Sequence, residues 1–182
     1  MSPTGTGHDN LDVLFSAAEI EDRVHRLAED IAQDVGAEMS VVAILKGSFV
    51  FTADLLRALH HCGTRPRIDF MTLSSYGTGT KSSGQVEIVR DVVDNLSGQR
   101  VLLIDDILES GRTLAFAKAH LGAQGAETVK VCVLLDKPGT RATQIDADYV
   151  GFVSPDRFVV GYGLDYAHYY RELPYIGVLE QP

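Results

Sequence analysis

Apolar residues along this chain recur with two different periods, and the alternation between those periods predicts its architecture. In "FSAAEIEDRVHRLAEDIAQDVG", Ile20, Val24, Leu27, Ile31 and Val35 follow one another at spacings of four, three, four and four, which is one face of a helix. Ser16 is the expected N-cap, Glu19 completes a capping box and Gly36 follows the end. "VVAIL" (41–45) is instead a short, wholly apolar run, as a parallel strand covered on both faces requires. A helix is expected over "FVFTADLLRALHHC" and a strand over "RIDFMTL" (67–73). A Gly/Ser/Thr loop follows over 74–84, then a strand in "QVEIVRDV". Further strands are expected at "RVLLID" (100–105) and "TVKVCVLLD" (128–136), with a helix in "TLAFAKAHLGAQG" between them. "DYVGFVSP", "FVVGYG" and "YIGVLE" are short strand-like pieces near the end.

Strands alternating with helices predict an α/β fold around a mostly parallel sheet. No repeat or linker divides the chain, so residues 11–182 are expected to form a single domain behind a disordered tail, 1–10. At 182 residues and 45% hydrophobic composition, the chain is long enough to bury a real core. The net charge of −9 argues against an electrostatic grip on nucleic acid, though a local phosphate site needs only a few N–H groups and one or two cations. Cys62 and Cys132 fall in no CxxC or metal-ligand spacing and are expected to be plain thiols. The N-terminus has neither a basic nor an apolar leader segment, and no apolar run reaches membrane-span length. A soluble, cytoplasmic protein with no membrane partner is expected.

In an open parallel sheet, ligands bind beyond the carboxyl ends of the strands. Three polar clusters fall at such ends: "KGS" after 41–45, "DDILESGRT" after "RVLLI", and "DKPG" closing 128–136. Small residues ahead of a helix let backbone N–H groups converge on an anion, and the helix dipole favours it. Ser110 and Thr113 add hydroxyls. Asp105 and Asp106 repel a phosphate but suit sugar hydroxyls or a hydrated Mg²⁺. Phosphate donors beside hydroxyl acceptors describe a ribose 5-phosphate site, and an ordinary helix start with nearby acids remains the plainer alternative. "GTGTKSSG" only superficially matches a nucleotide-triphosphate loop. Lys81 follows Thr80 rather than a glycine, and strand-like sequence comes next. Its length suits a mobile lid.

"LLIDDILESGRTL" resembles the phosphoribosyl pyrophosphate motif of the type I phosphoribosyltransferases. More specifically, the chain resembles the hypoxanthine-guanine phosphoribosyltransferase family from "DVLFSAAEI" to "YYRELPYIGVL". "ILKGSFVF", "SSYG", "LLDKPGTR" and "PDRFVVGYGLDYAHYYRELPYIGVL" carry the match, and the last of these is the most specific. The resemblance implies a mostly parallel, five-stranded core sheet flanked by helices, with a small hood built from N- and C-terminal segments. It implies transfer of 5-phosphoribosyl from phosphoribosyl pyrophosphate to N9 of a free 6-oxopurine, with Mg²⁺ as cofactor, and assembly as a homodimer or homotetramer.

Carried over residue by residue, the resemblance places Asp105 and Asp106 near the ribose hydroxyls and the metal. It places Ser110, Gly111, Arg112 and Thr113 around the 5-phosphate. Lys46 and Gly47 fall in a pyrophosphate loop with a cis peptide between Leu45 and Lys46. Ser75 and Tyr76 fall in the closing loop. Lys137 bonds the 6-oxo group, Phe158 stacks on the base, and Val159 touches it through its backbone. Asp165 is a Mg²⁺ ligand and Arg171 a pyrophosphate contact. Glu109 takes the position of the general base, where the family usually has Asp, so the carboxylate reaches one methylene further. The resemblance leaves open whether hypoxanthine, guanine or xanthine is preferred. The rival readings are a uracil-using relative, and a non-catalytic sensor of phosphoribosyl pyrophosphate.

Overall fold

The computed structural model describes residues 11–76 and 85–180, with the side chains of Ser75, Tyr76 and Gln85 left aside. The expected tail, 1–10, and residues 77–84 of the expected lid lie outside these. In chain order the elements are β1 (Asp12–Phe15), α1 (Ala17–Val35), β2 (Ser40–Leu45), α2 (Phe49–His61), β3 (Arg67–Tyr76), β4 (Gln85–Arg90) and β5 (Arg100–Leu108). There follow α3 (Arg112–Ala123), β6 (Thr128–Asp136), a 3₁₀ turn (Pro138–Thr140), β7 (Tyr149–Val153), β8 (Val159–Val160) and β9 (Ile176–Val178).

Six strands form the main sheet in the order β4-β3-β2-β5-β6-β7. β3, β2, β5, β6 and β7 run parallel, and β4 joins β3 antiparallel at the edge, one strand more than expected. The apolar runs follow from cover on both faces. Val41 and Ala43, Leu102 and Ile104, and Cys132 and Leu134 pack toward α1 and α2. Val42 and Ile44, Val101 and Leu103, and Val131 and Val133 pack with Leu114, Ala117 and Leu121 of α3. Each buried Val, Leu or Ile among these contributes roughly 1.5–3 kcal/mol by leaving water.

The expected capping box closes α1: Ser16 N–H donates to Glu19 Oε2 at 2.8 Å and Glu19 N–H to Ser16 Oγ at 3.3 Å. Ser16's hydroxyl, more than its N–H, holds the Glu19 carboxyl below its usual range.

Two strand ends lie further along than hydropathy indicates. β5 continues through Asp105 and Asp106, because Ile107 and Leu108 pair with Leu135 and Asp136. Asp106 is therefore inside the strand with Asp105 rather than beyond it. β3 continues through Ser74, Ser75 and Tyr76, which pair with Glu87, Val86 and Gln85. The expected loop at 74–84 thus begins later, and the backbones of Ser75 and Tyr76 belong to a strand. A second, antiparallel sheet, β1-β9-β8, joins the two ends of the described chain and forms the expected hood. β1 was not legible as a strand.

Candidate active site

The carboxyl ends of β2, β5 and β6 bring their loops to one edge of the sheet, where a cavity of about 290 Å³ opens. Lys46, Gly47, Asp105, Asp106, Glu109, Ser110, Gly111 and Thr113 line it, so eight of the expected residues meet in one place. The peptide between Leu45 and Lys46 is cis, as the resemblance implies. Lys46 itself is exposed.

Gly47 and Asp106 fit together as a cradle and its contents. A β-carbon at residue 47 would stand 1.5 Å from Asp106 Oδ2, so only glycine leaves room for this carboxylate. Asp105 is buried beside it, and its Oδ1 accepts the Asp106 N–H at 3.0 Å. Burial pushes the Asp105 carboxyl well above the usual range, and the charge of Asp106 adds to this. Burial raises Asp106 too, while the guanidinium of Arg171 acts in the opposite direction. A crowded acid pair of this kind is relieved by hydroxyl donors or by a cation.

Gly111 is the N-cap of α3 in the left-handed region, with φ of +79°. A side chain there would strike Thr143 O at 2.6 Å. The loop over 109–113 therefore turns sharply and sets the N-terminus of α3 at the cavity, where Gly111, Thr113 and Leu114 line it, and the first-turn N–H groups have no partner one turn earlier in the helix. Arg112 opens the helix but does not line the cavity.

Lys137 follows β6 and is almost fully buried; its ammonium lies 3.6 Å from Glu109 Oε1. The two loops also join through the backbone, Lys137 N–H donating to Leu108 O at 2.9 Å. Arg141, in the quoted "LLDKPGTR" but given no role there, reaches the same junction. Its Nη1 bonds the carbonyls of Leu108 and Glu109 at 2.8 Å each and of Lys137 at 3.0 Å. Its Nη2 pairs with Asp136. An arginine four residues after a strand-end lysine, across a Pro-Gly turn, is the only trace of this in the sequence.

Arg171 is tied to the loop before it, donating to Gly163 O at 2.6 Å and pairing with Asp165 Oδ1 at 2.7 Å. Asp165 Oδ2 accepts the His168 N–H at 2.9 Å. Ala167, His168 and Tyr170 in this turn have positive φ, a strained backbone of the kind that gathers at functional sites. Asp165 is thus held by Arg171 and does not join Asp105 and Asp106 in one acidic cluster. Among the described residues no group of three or more His, Cys, Asp or Glu is placed to hold a metal.

Phe158 and Val159 stand apart from the 290 Å³ cavity, and Phe158 lines a second hollow of about 330 Å³ with Arg157, Val178, Leu179 and Glu180. Phe158 is 40% exposed and meets the Tyr166 ring edge-on at 5.8 Å, which leaves ring area for a planar ligand. Val159 is buried and paired with Val178. A larger, mainly apolar hollow of about 740 Å³ lies between α1 and α2. It is not where the polar groups converge, and its Asp54 is already paired with Arg57 and Tyr162.

Residues 11–167 match the phosphoribosyl transferase domain model. The chain is 44% identical over 174 residues to the hypoxanthine-guanine phosphoribosyltransferase of Bacillus subtilis, covering 95% of each. It is 46% identical over 169 residues to the bifunctional protein TilS/HprT of Listeria monocytogenes, and there it spans 92% of this chain but only 26% of that much longer relative. Among solved structures, a hypoxanthine phosphoribosyltransferase of Staphylococcus aureus superposes with a TM-score of 0.90 at 40% identity, covering 98% of this chain and 97% of that one.

Proposed function

Since the chain belongs to the phosphoribosyl transferase family, we propose that it moves a 5-phosphoribosyl group from phosphoribosyl pyrophosphate to N9 of hypoxanthine or guanine. Pyrophosphate and the purine nucleotide, IMP or GMP, are the products, and the reaction salvages free bases. The observation that carries this reading is the adjacent pair of the buried Asp105 and the half-buried Asp106, the latter seated against Gly47, beside the N-terminus of α3. Hydroxyl acceptors and phosphate donors there share one cavity, as a ribose 5-phosphate demands.

In this reading Asp105 and Asp106 accept the ribose hydroxyls. Ser110, Gly111, Arg112 and Thr113 hold the 5-phosphate with hydroxyl and N–H donors at the positive end of α3. Lys46, Gly47 and Arg171 face the pyrophosphate, with Ser75 and Tyr76 on the approach to it. Lys137 donates to the 6-oxo group, Phe158 stacks on the base, and the Val159 backbone meets its edge. Glu109 receives the proton that the imidazole ring of the purine gives up.

The donor set fits Mg²⁺, which keeps several waters and takes the rest of its oxygens from one or two carboxylates and substrate phosphates. Asp105 and Asp106 are the adjacent carboxylates that would hold it, Asp165 would join them only on exchanging its Arg171 partner, and the ion would supply positive charge where the leaving pyrophosphate gathers negative charge. We further propose that residues 11–182 act as one domain, in the cytoplasm, as a homodimer or homotetramer. The half-exposed Phe49 on α2 supports a subunit contact, and no described helix is long and apolar enough to cross a membrane.

The test is pyrophosphate release from phosphoribosyl pyrophosphate and Mg²⁺ with hypoxanthine, guanine, xanthine, adenine and uracil offered separately. Turnover with hypoxanthine or guanine supports the reading. Turnover with uracil or adenine alone overturns the base assignment. Binding of phosphoribosyl pyrophosphate without turnover identifies a sensor instead.

A further inference from the structure

Resting on the phosphoribosyl transfer just described, we propose that Arg141 is a positioning residue that sets the distance between the base-side pair, Glu109 and Lys137, and the phosphate loop. The regular ladder between β5 and β6 ends at Leu108 and Asp136, and both side chains in question come from the residues that follow. Carbonyls beyond a ladder need other partners if the loops are to hold still. A single guanidinium ties three of them together: Nη1 meets Glu109 O, and also Leu108 O and Lys137 O beside the Lys137 N–H and the Thr140 hydroxyl that those two accept, all within 3.0 Å, and Nη2 meets the Asp136 carboxylate. The Arg141 side chain is only 19% exposed, so these bonds compete little with water.

The residues after Arg141 extend the same support. Ala142 and Thr143 donate their N–H groups to Ser110 O at 2.9 and 3.0 Å, and Thr143 O presses against Gly111. One segment therefore underlies both halves of the site. Arg141 joins the base side to it, and the backbone at 142–143 joins the phosphate side. Group transfer needs the attacking nitrogen and the ribose carbon within about 3–3.5 Å, and a 1 Å displacement costs on the order of a hundredfold. Lysine cannot replace the guanidinium here, because its ammonium is a point charge without the planar fork that spans several carbonyls.

Arg141→Ala and Arg141→Lys test this by steady-state kinetics, by calorimetric binding of phosphoribosyl pyrophosphate, and by addition of sub-denaturing methylguanidinium. Both variants are expected to lose roughly tenfold to a hundredfold in kcat and to raise KM for the purine several-fold, through misplaced Glu109 and Lys137. The affinity for phosphoribosyl pyrophosphate should stay within about twofold, because the backbone bonds to Ser110 remain. Methylguanidinium should restore part of the kcat of Arg141→Ala and nothing in the wild type. If the alanine variant does not fold, the lysine variant decides alone. Wild-type kinetics in a folded variant, or a loss that falls equally on phosphoribosyl pyrophosphate binding, overturns the inference. A wild type that turns over no purine overturns the functional reading and this inference together.

Discussion

Lys137 Nζ lies 3.6 Å from Glu109 Oε1, so the lysine proposed to read the purine oxygen and the carboxylate proposed as the base face each other. The lysine is buried and the glutamate half-exposed, so the flexible partner is the acid. Glutamate's extra methylene gives this carboxylate the reach for the contact.

That reach makes Glu109 separable by length and by charge. Glu109→Asp is expected to keep turnover within about tenfold, because the acid survives. Glu109→Gln should lose about 10²–10⁴ in kcat, the usual worth of a positioned proton acceptor. Steady-state rates with hypoxanthine decide it. A glutamine variant at the wild-type rate would remove Glu109 from the chemistry.

Gly47→Ala is expected to weaken phosphoribosyl pyrophosphate binding by at least about tenfold, since a β-carbon would occupy the place of Asp106 Oδ2. Titration calorimetry measures this directly. Unchanged affinity would show that Asp106 can leave its cradle without consequence.

Asp69 predicts a pH dependence of stability. Burial alone would raise its pKa, but N–H donors from Val93, Phe70 and Asp94 outweigh that and hold it below its ordinary 3.8. A carboxyl with a depressed folded pKa stabilises the fold above its unfolded pKa. That contribution is lost as pH falls through the folded value. Wild type should therefore exceed Asp69→Asn in urea midpoint at pH 7, and the gap should close below pH about 3.8 as the carboxylate protonates. A gap that does not narrow as pH falls from about 5 through the carboxylate range would contradict the assignment.

Arg23 on α1 donates to Gly151 O at 2.8 Å and Val150 O at 2.7 Å, covering carbonyls of the edge strand β7. Arg23→Ala should cost about 1.5–3 kcal/mol, the range for bonds to a charged donor. Equilibrium urea unfolding reads the loss, and a change below about 0.5 kcal/mol, ordinary for a surface residue, would show that water replaces the arginine.

Legibility in the sequence followed locality. The Ser16–Glu19 cap and the face from Ile20 to Val35 are decided within one or two turns, and both stand as expected. Runs such as 41–45 were legible because cover on both faces demands unbroken apolarity. β1 was not, since four residues carry no period and its partner β9 lies far along the chain. The continuation of β5 past Asp105 was hidden because carboxylates interrupt a hydropathy pattern without interrupting the ladder. At the site, the residue types were readable from chemistry and resemblance. Arg141 was not, because three carbonyls from two loops leave no mark on spacing.

The most direct measurement is product analysis from purified chain, phosphoribosyl pyrophosphate, Mg²⁺ and hypoxanthine, followed by phosphorus and proton NMR. The expected result is pyrophosphate and an N9-linked purine nucleotide formed in equal amounts. Folded chain that forms neither, or that releases pyrophosphate without any base-linked nucleotide, would contradict phosphoribosyl transfer to a 6-oxopurine.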